Sequence, residues 1–192
     1  MGAIGVVTHG FQPMNFCDKN FRLLTADLSV EGLRHMIEIN SPKLRQLYDD
    51  WNSRRHGREF PSRADFDPLE LKYVLGSLSL VDVLRDPLRF RYRLHGSTMA
   101  DLVGTDMTGR YLDEMADRRY YEKANATFTE VVESRAPIGG SYHRFMTDRR
   151  TWDYDVLVLP LSDDAKTIDM LISCSIIYDL NSDFPVNWEL VP

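Results

Sequence analysis

Five histidines and two cysteines are the residues of this 192-residue chain best suited to moving protons or holding a metal. Of the histidines His9, His35, His56, His95 and His143, only His95 and His143 fall in segments that alternate like strands. An imidazole titrates near neutral pH. His95, His143 and the carboxyl of Asp106 are therefore the acid–base candidates of an enzyme reading. Each has a plainer reading. His95 follows Arg89, Arg91 and Arg93 at a spacing of two, which places it on their outward side in solvent. Asp106 lies between Gly104 and Gly109 in a polar run, where aspartate commonly closes a turn. Asp153 and Asp155 could act as paired carboxylates, but strand alternation expects both to face solvent. Cys17 and Cys174 lack CxxC or Cys/His ligand spacing, so no metal site is expected. Cys174 is in phase with Met170 and Ile172 and is expected to be a small buried group. No GxSxG, HExxH, GxxxxGK[ST] or GxGxxG motif occurs, and no residue is assigned as catalytic.

Two other groups could carry function. Arg89, Arg91 and Arg93 put three cations on one strand face, where they need solvent, acidic neighbours or a charged partner. Cross-strand pairs with acids contribute roughly 0.2–1 kcal/mol each. The functional reading is a partner surface. Tyr92, Met99, Tyr111, Phe128, Trp152 and Tyr154 could line a ligand pocket between sheet and helices. A plain core accounts for the same residues, since burying each large side chain contributes roughly 1.5–3 kcal/mol.

The elements that would position these residues begin with the stretch Arg89–Met115. Phe90, Tyr92 and Leu94 alternate with the arginines, and Gly96 breaks the strand. Ser97 or Thr98 caps a short helix ending at Gly104, and a turn-rich run leads to Tyr111, Leu112 and Met115. Upstream, Ser41-Pro42 starts a helix with Leu44, Leu47, Tyr48 and Trp51 on one stripe. That stripe packs either on the main domain or on a second copy. Asp67-Pro68-Leu69-Glu70 reads as a second, capped helix start. Residues 78–84 and 89–95 form an antiparallel hairpin around Asp86-Pro87. Asp117 caps a long helix reaching about Ser134, and three strands follow over 138–146, 152–159 and 168–176. The order predicts an α+β fold: a five-stranded antiparallel sheet with helices on one face, plus an N-terminal amphipathic helix.

Composition bounds the rest. Hydrophobic content of 43% and aromatic content of 11% suffice for a core. A net charge of −6 argues against a nucleic-acid partner. No apolar run reaches the roughly 20 residues a membrane helix needs, so no membrane insertion is expected and the cytoplasm is the default compartment. Four segments are expected: an N-terminal arm over 1–40, poorly ordered or partly helical; an amphipathic helix over 41–59; a folded domain over 60–179; and a loose tail over 180–192.

In this order, the chain resembles the PAS family, and most of all its short, single-domain bacterial members. Phe60-Pro61-Ser62-Arg63, Asp65-Phe66-Asp67-Pro68, Leu78 to Val83, Phe90 to Ser97, Gly104 to Arg110 and Leu159-Pro160-Leu161-Ser162 carry the resemblance over residues 60–177. It implies a sheet cupping helices around a cavity, and a sensory role in signal transduction through ligand binding or protein–protein interaction. PAS domains bind haem, flavin, small metabolites or only proteins. The helical crossover shows no flavin-type cysteine motif and helix 117–134 no histidine, so flavin and haem are disfavoured and the cofactor is unknown. Nothing after Ile177 is long enough to fold as an output module, so output is expected through an unidentified signalling partner or a homodimer. The expected activity is regulatory rather than enzymatic.

Overall fold

The computed structural model describes residues 22–23, 39–145 and 151–179, with side chains described over 39–141 and 154–178. Most of the arm expected over 1–40 and the tail 180–192 lie outside the described residues, as do the side chains of His143, Asp153 and Trp152.

The elements in chain order are β1 (Arg22–Leu23), α1 (Pro42–Ser53), β2 (Leu78–Leu84), β3 (Arg89–Leu94), α2 (Ser97–Val103), α3 (Arg118–Ser134), β4 (Ile138–Phe145), β5 (Thr151–Leu161) and β6 (Met170–Asp179). The five expected strands form one antiparallel sheet, and two-residue β1 extends its edge against Ile138 and Gly139. Strand order across the sheet is β1-β4-β5-β6-β2-β3, so the hairpin β2–β3 lies beside the last strand. The chain's two halves meet along β2 and β6, where Leu78 faces Cys174 and Leu80 faces Ile172.

Alternation along β5 shows how the faces are used. Lys123 of α3 lies 5.7 Å from the Tyr154 ring centre, so α3 covers that face. Asp155, next in sequence, points the other way and accepts the Ser41 backbone N–H at 2.8 Å, at the start of α1. Helix α1 therefore packs on the opposite face from α3. Its Leu44, Leu47 and Trp51 are buried, and the Trp51 indole N–H donates to the Pro160 carbonyl at 2.8 Å. Of the two places open to this stripe, it is used against its own sheet. Ser41 caps the helix as its type suggests, accepting the Leu44 N–H, with Pro42 at the first helical position.

Two local expectations change. Residues 68–74 form consecutive turns rather than a helix, with Leu71 N–H on the Pro68 carbonyl and Val74 N–H on the Leu71 carbonyl. The capping box sits earlier: Asp65 accepts the Ser62 N–H, and the Ser62 hydroxyl oxygen accepts the Ala64 N–H. Asp155 is also not solvent-facing. It is buried under α1, where the Ser141 and Tyr178 hydroxyls donate to it alongside Ser41. A carboxylate can sit there because hydrogen-bond donors replace its water.

Candidate functional site

The pairing of β3 with β2 decides where its side chains point. From Leu84 opposite Arg89 to Val81 opposite Tyr92 the register is regular; Leu80 then faces Leu94, leaving Arg93 as an extra residue. Such a bulge reverses the alternation beyond it. Leu94 is turned outward and is 39% exposed, while His95 is turned inward with its side chain fully covered. The expectation of a solvated His95 beside the arginines is thus corrected, because one inserted residue moves it to the other face.

The His95 ring packs edge-on against Tyr92, with centroids 4.9 Å apart. Its Nδ1 accepts the Met107 backbone N–H at 3.3 Å. A nitrogen that accepts carries a lone pair, so the proton of the neutral ring is on Nε2. Nε2 is buried and has no hydrogen-bond partner among the described residues. Burial lowers the imidazole pKa, and Asp106, 4.0 Å from Nδ1, opposes that shift. Asp106 itself is exposed and accepts the Thr108 N–H at 2.8 Å, which holds its carboxyl below the usual range. It closes a turn, as its setting between glycines suggests.

The segment carrying Met107 is tied to β3 along its free edge. Gly109 N–H donates to the Tyr92 carbonyl at 2.7 Å, Tyr92 N–H to the Arg110 carbonyl at 2.9 Å, and His95 N–H to Thr108 Oγ1 at 3.0 Å. Gly109 holds φ at 80°, which a glycine adopts without Cβ strain. These bonds bring the Met107 backbone N–H to the Nδ1 edge of the ring.

Tyr92 is the second buried polar group. Its hydroxyl makes no well-formed hydrogen bond among the described residues, although the Tyr120 phenol of α3 lies near enough to act on it. Burial foremost, then Tyr120, pushes its pKa well above the ordinary phenol value.

The other pocket candidates are spread out. Phe128 is buried and meets Phe90 edge-on at 5.4 Å, in the same core as Tyr92. Met99 is buried but stands apart from that core. Tyr111 is half-buried beneath Arg89, whose guanidinium carbon lies 3.4 Å from the ring centre. Tyr154 is half-buried under Lys123.

All three arginines meet acids of their own chain. Arg89 grips Asp113 through two bonds of 2.7 and 2.9 Å. Arg91, at 2.8 Å, and Arg93, at 2.7 Å, share Asp82, which is buried in β2 while their own side chains stay exposed. One carboxylate between two guanidinium groups leaves net positive charge beside exposed Leu94. Sequence reasoning passed over Asp82 and Met107. Asp82 had a signal, an acid inside the apolar run LSLVDVL; Met107 contributes only backbone and had none.

With a sheet wrapped around a long helix and a helical crossover strapped to one edge, comparison with known proteins becomes informative. The family model described as PAS domain matches residues 39–175. The chain belongs to the PAS domain family. Among solved structures, this PAS domain is similar to a light-oxygen-voltage domain from a study of its mechanism with a flavin analogue, at 12% identity and TM-score 0.43, over 62% of this chain and 90% of that one. It is also similar to the LOV protein of Rhodobacter sphaeroides, at 12% identity and TM-score 0.40, over 62% and 70% of the two chains. A third is the PAS domain of a protein from Colwellia psychrerythraea, at 12% identity and TM-score 0.35, over 59% and 98%. No curated protein matches this chain.

These likenesses correct the cofactor expectation. Flavin and haem are disfavoured on sequence for want of local motifs, yet two of these three structures are light-oxygen-voltage domains, one of them studied with a flavin analogue. A cavity is lined by residues from several elements, so a missing local motif is no ground for excluding a cofactor. Among the described residues, no group of three or more His, Cys, Asp or Glu is placed to hold a metal ion, and no helix is long and apolar enough to cross a membrane.

Proposed function

We propose that this PAS domain is a sensory or signalling regulator that binds a small ligand between β3, the 104–110 segment and α3, and passes its state to a protein partner. The observation that supports this reading is His95 Nε2, buried without a hydrogen-bond partner among the described residues, next to the buried Tyr92 hydroxyl, which has only the Tyr120 phenol near it. Buried polar groups in folded proteins are nearly always satisfied. The bare Nε2 of His95 suggests that something other than the described chain completes it. The ligand works only through different affinities for two conformations or assemblies. Tyr92 and Phe128 are the proposed buried contacts, with His95 added. The face of β3 that carries Arg89, Arg91 and Arg93 is the proposed partner surface, used by a signalling protein or by a second copy in a homodimer.

The enzyme reading is less well served. Asp106 lies on the Nδ1 side of His95, is exposed, and is occupied by Thr108, so it offers no second catalytic group at Nε2. Native mass spectrometry, beside a denatured control and an absorption spectrum, tests the proposal. The expected result is a bound mass lost on denaturation. A chain that leaves every purification empty, and takes up none of the probes named below, would sink the ligand reading.

A further inference from the structure

We propose that His95 Nε2–H is the recognition donor of the site, and that it selects a neutral, largely apolar molecule carrying a carbonyl oxygen, with the Tyr92 hydroxyl as a second donor. This rests on the ligand-binding reading above and adds the chemistry that reading lacks.

The argument begins at the opposite side of the ring. Met107 N–H points at Nδ1, which therefore accepts. That bond fixes the proton on Nε2 and also resists a second proton, since an N–H at Nδ1 would face another N–H. His95 is thus held as a neutral donor, and what it needs is an acceptor. The neighbouring Tyr92 hydroxyl is also buried; the Tyr120 phenol lies near it, and a ligand oxygen would share or displace that contact. A carbonyl oxygen has two lone pairs and can receive one bond from each group.

Charge decides against an acid. The side chain of His95 is fully covered, and Asp106 is the one charged group beside it among the described residues. The arginines cannot help: Arg89, Arg91 and Arg93 are spent on Asp113 and Asp82 at the surface. A carboxylate brought to Nε2 would lose its water without gaining a cation, at a cost that a neutral carbonyl avoids. A hydrocarbon would fit the apolar surroundings but leave both donors unsatisfied.

The test uses the full chain labelled with nitrogen-15, and three probes of similar shape: acetophenone, ethylbenzene and benzoate. Long-range proton–nitrogen spectra of the histidine side chains report directly on Nε2, with His95 assigned from a His95→Phe variant. Acetophenone is expected to shift the His95 Nε2 signal and to bind roughly tenfold more tightly than ethylbenzene, the size of one buried hydrogen bond satisfied. Tyr92→Phe, which removes only the hydroxyl, is expected to narrow that preference, and it serves if His95→Phe does not fold. Benzoate is expected to bind most weakly. Equal binding of ethylbenzene and acetophenone would overturn the donor role while leaving a ligand cavity standing. Preference for benzoate would overturn the neutral class, and acetophenone binding without a change at His95 would overturn the site. No probe binding, with Nε2–H in contact with water protons, would overturn this proposal and the ligand reading together.

Discussion

Met107 gives its backbone N–H to Nδ1 of His95 at 3.3 Å, and that bond decides which ring nitrogen carries the proton. A backbone group cannot change its protonation state, so the imidazole's tautomer is set by the fold of the crossover and not by solvent.

This has a pH consequence whose sign can be worked out. Burial lowers the pKa of His95 in the folded protein below its unfolded value, with Asp106 as the opposing influence. Below about pH 6.5 the unfolded chain takes up this proton before the folded one does. The stability linked to His95 is therefore complete above that pH and is lost as pH falls toward the lower folded pKa. Urea unfolding at about pH 7.5 and about pH 5.5 is expected to show a larger acid loss in the wild type than in His95→Phe. Equal losses would mean that His95 is not held neutral.

Glycine at 96 is required by close approach. A Cβ there would stand 2.3 Å from the Gly76 carbonyl oxygen and 2.7 Å from that of Leu78, and neither backbone can yield cheaply. Gly96→Ala is expected to cost about 2–3 kcal/mol or more. Gly57 has open space but a φ of 82°, so Gly57→Ala should cost only about 1 kcal/mol. Urea midpoints of the two variants compare the mechanisms, and similar losses would refute the close-contact argument.

Asp82 holds two arginines at once. Asp82→Asn is expected to lower stability by about 1–3 kcal/mol, because it weakens charge-assisted bonds to both Arg91 and Arg93. Arg93→Ala leaves the Arg91 bond in place and should cost less than about 1 kcal/mol. Partner binding is therefore best tested at Arg93, where the fold is least disturbed. Analytical ultracentrifugation and pulldown with Arg93→Glu are expected to show weaker association; unchanged association would remove this face as the partner surface.

The anchorage of α1 depends on Asp155. Asp155→Ala removes the acceptor shared by the Ser41 N–H and the hydroxyls of Ser141 and Tyr178, at an expected cost of about 3 kcal/mol. Hydrogen exchange should then speed up through residues 42–53 more than through β2 and β6. Uniform acceleration would show that α1 and the sheet open as one unit.

The order and type of the main elements were legible in local sequence signals. Periods of two and of 3.6, the Ser41-Pro42 start, the Asp117 cap and Gly104 at the end of α2 are local signals, and each corresponds to a feature of the structure. Residues 68–74 show the limit of that reading, since good capping residues there begin only turns. The facing of His95 came from tertiary pairing. One extra residue at Arg93 turned His95 inward, and no residue type announces a bulge, because it is settled by pairing with a strand some ten residues away. Likewise Asp155 is buried only because α1 returns to cover it, across 114 residues of chain. Local preference writes elements into sequence; which face of an element is covered depends on what distant chain is brought against it.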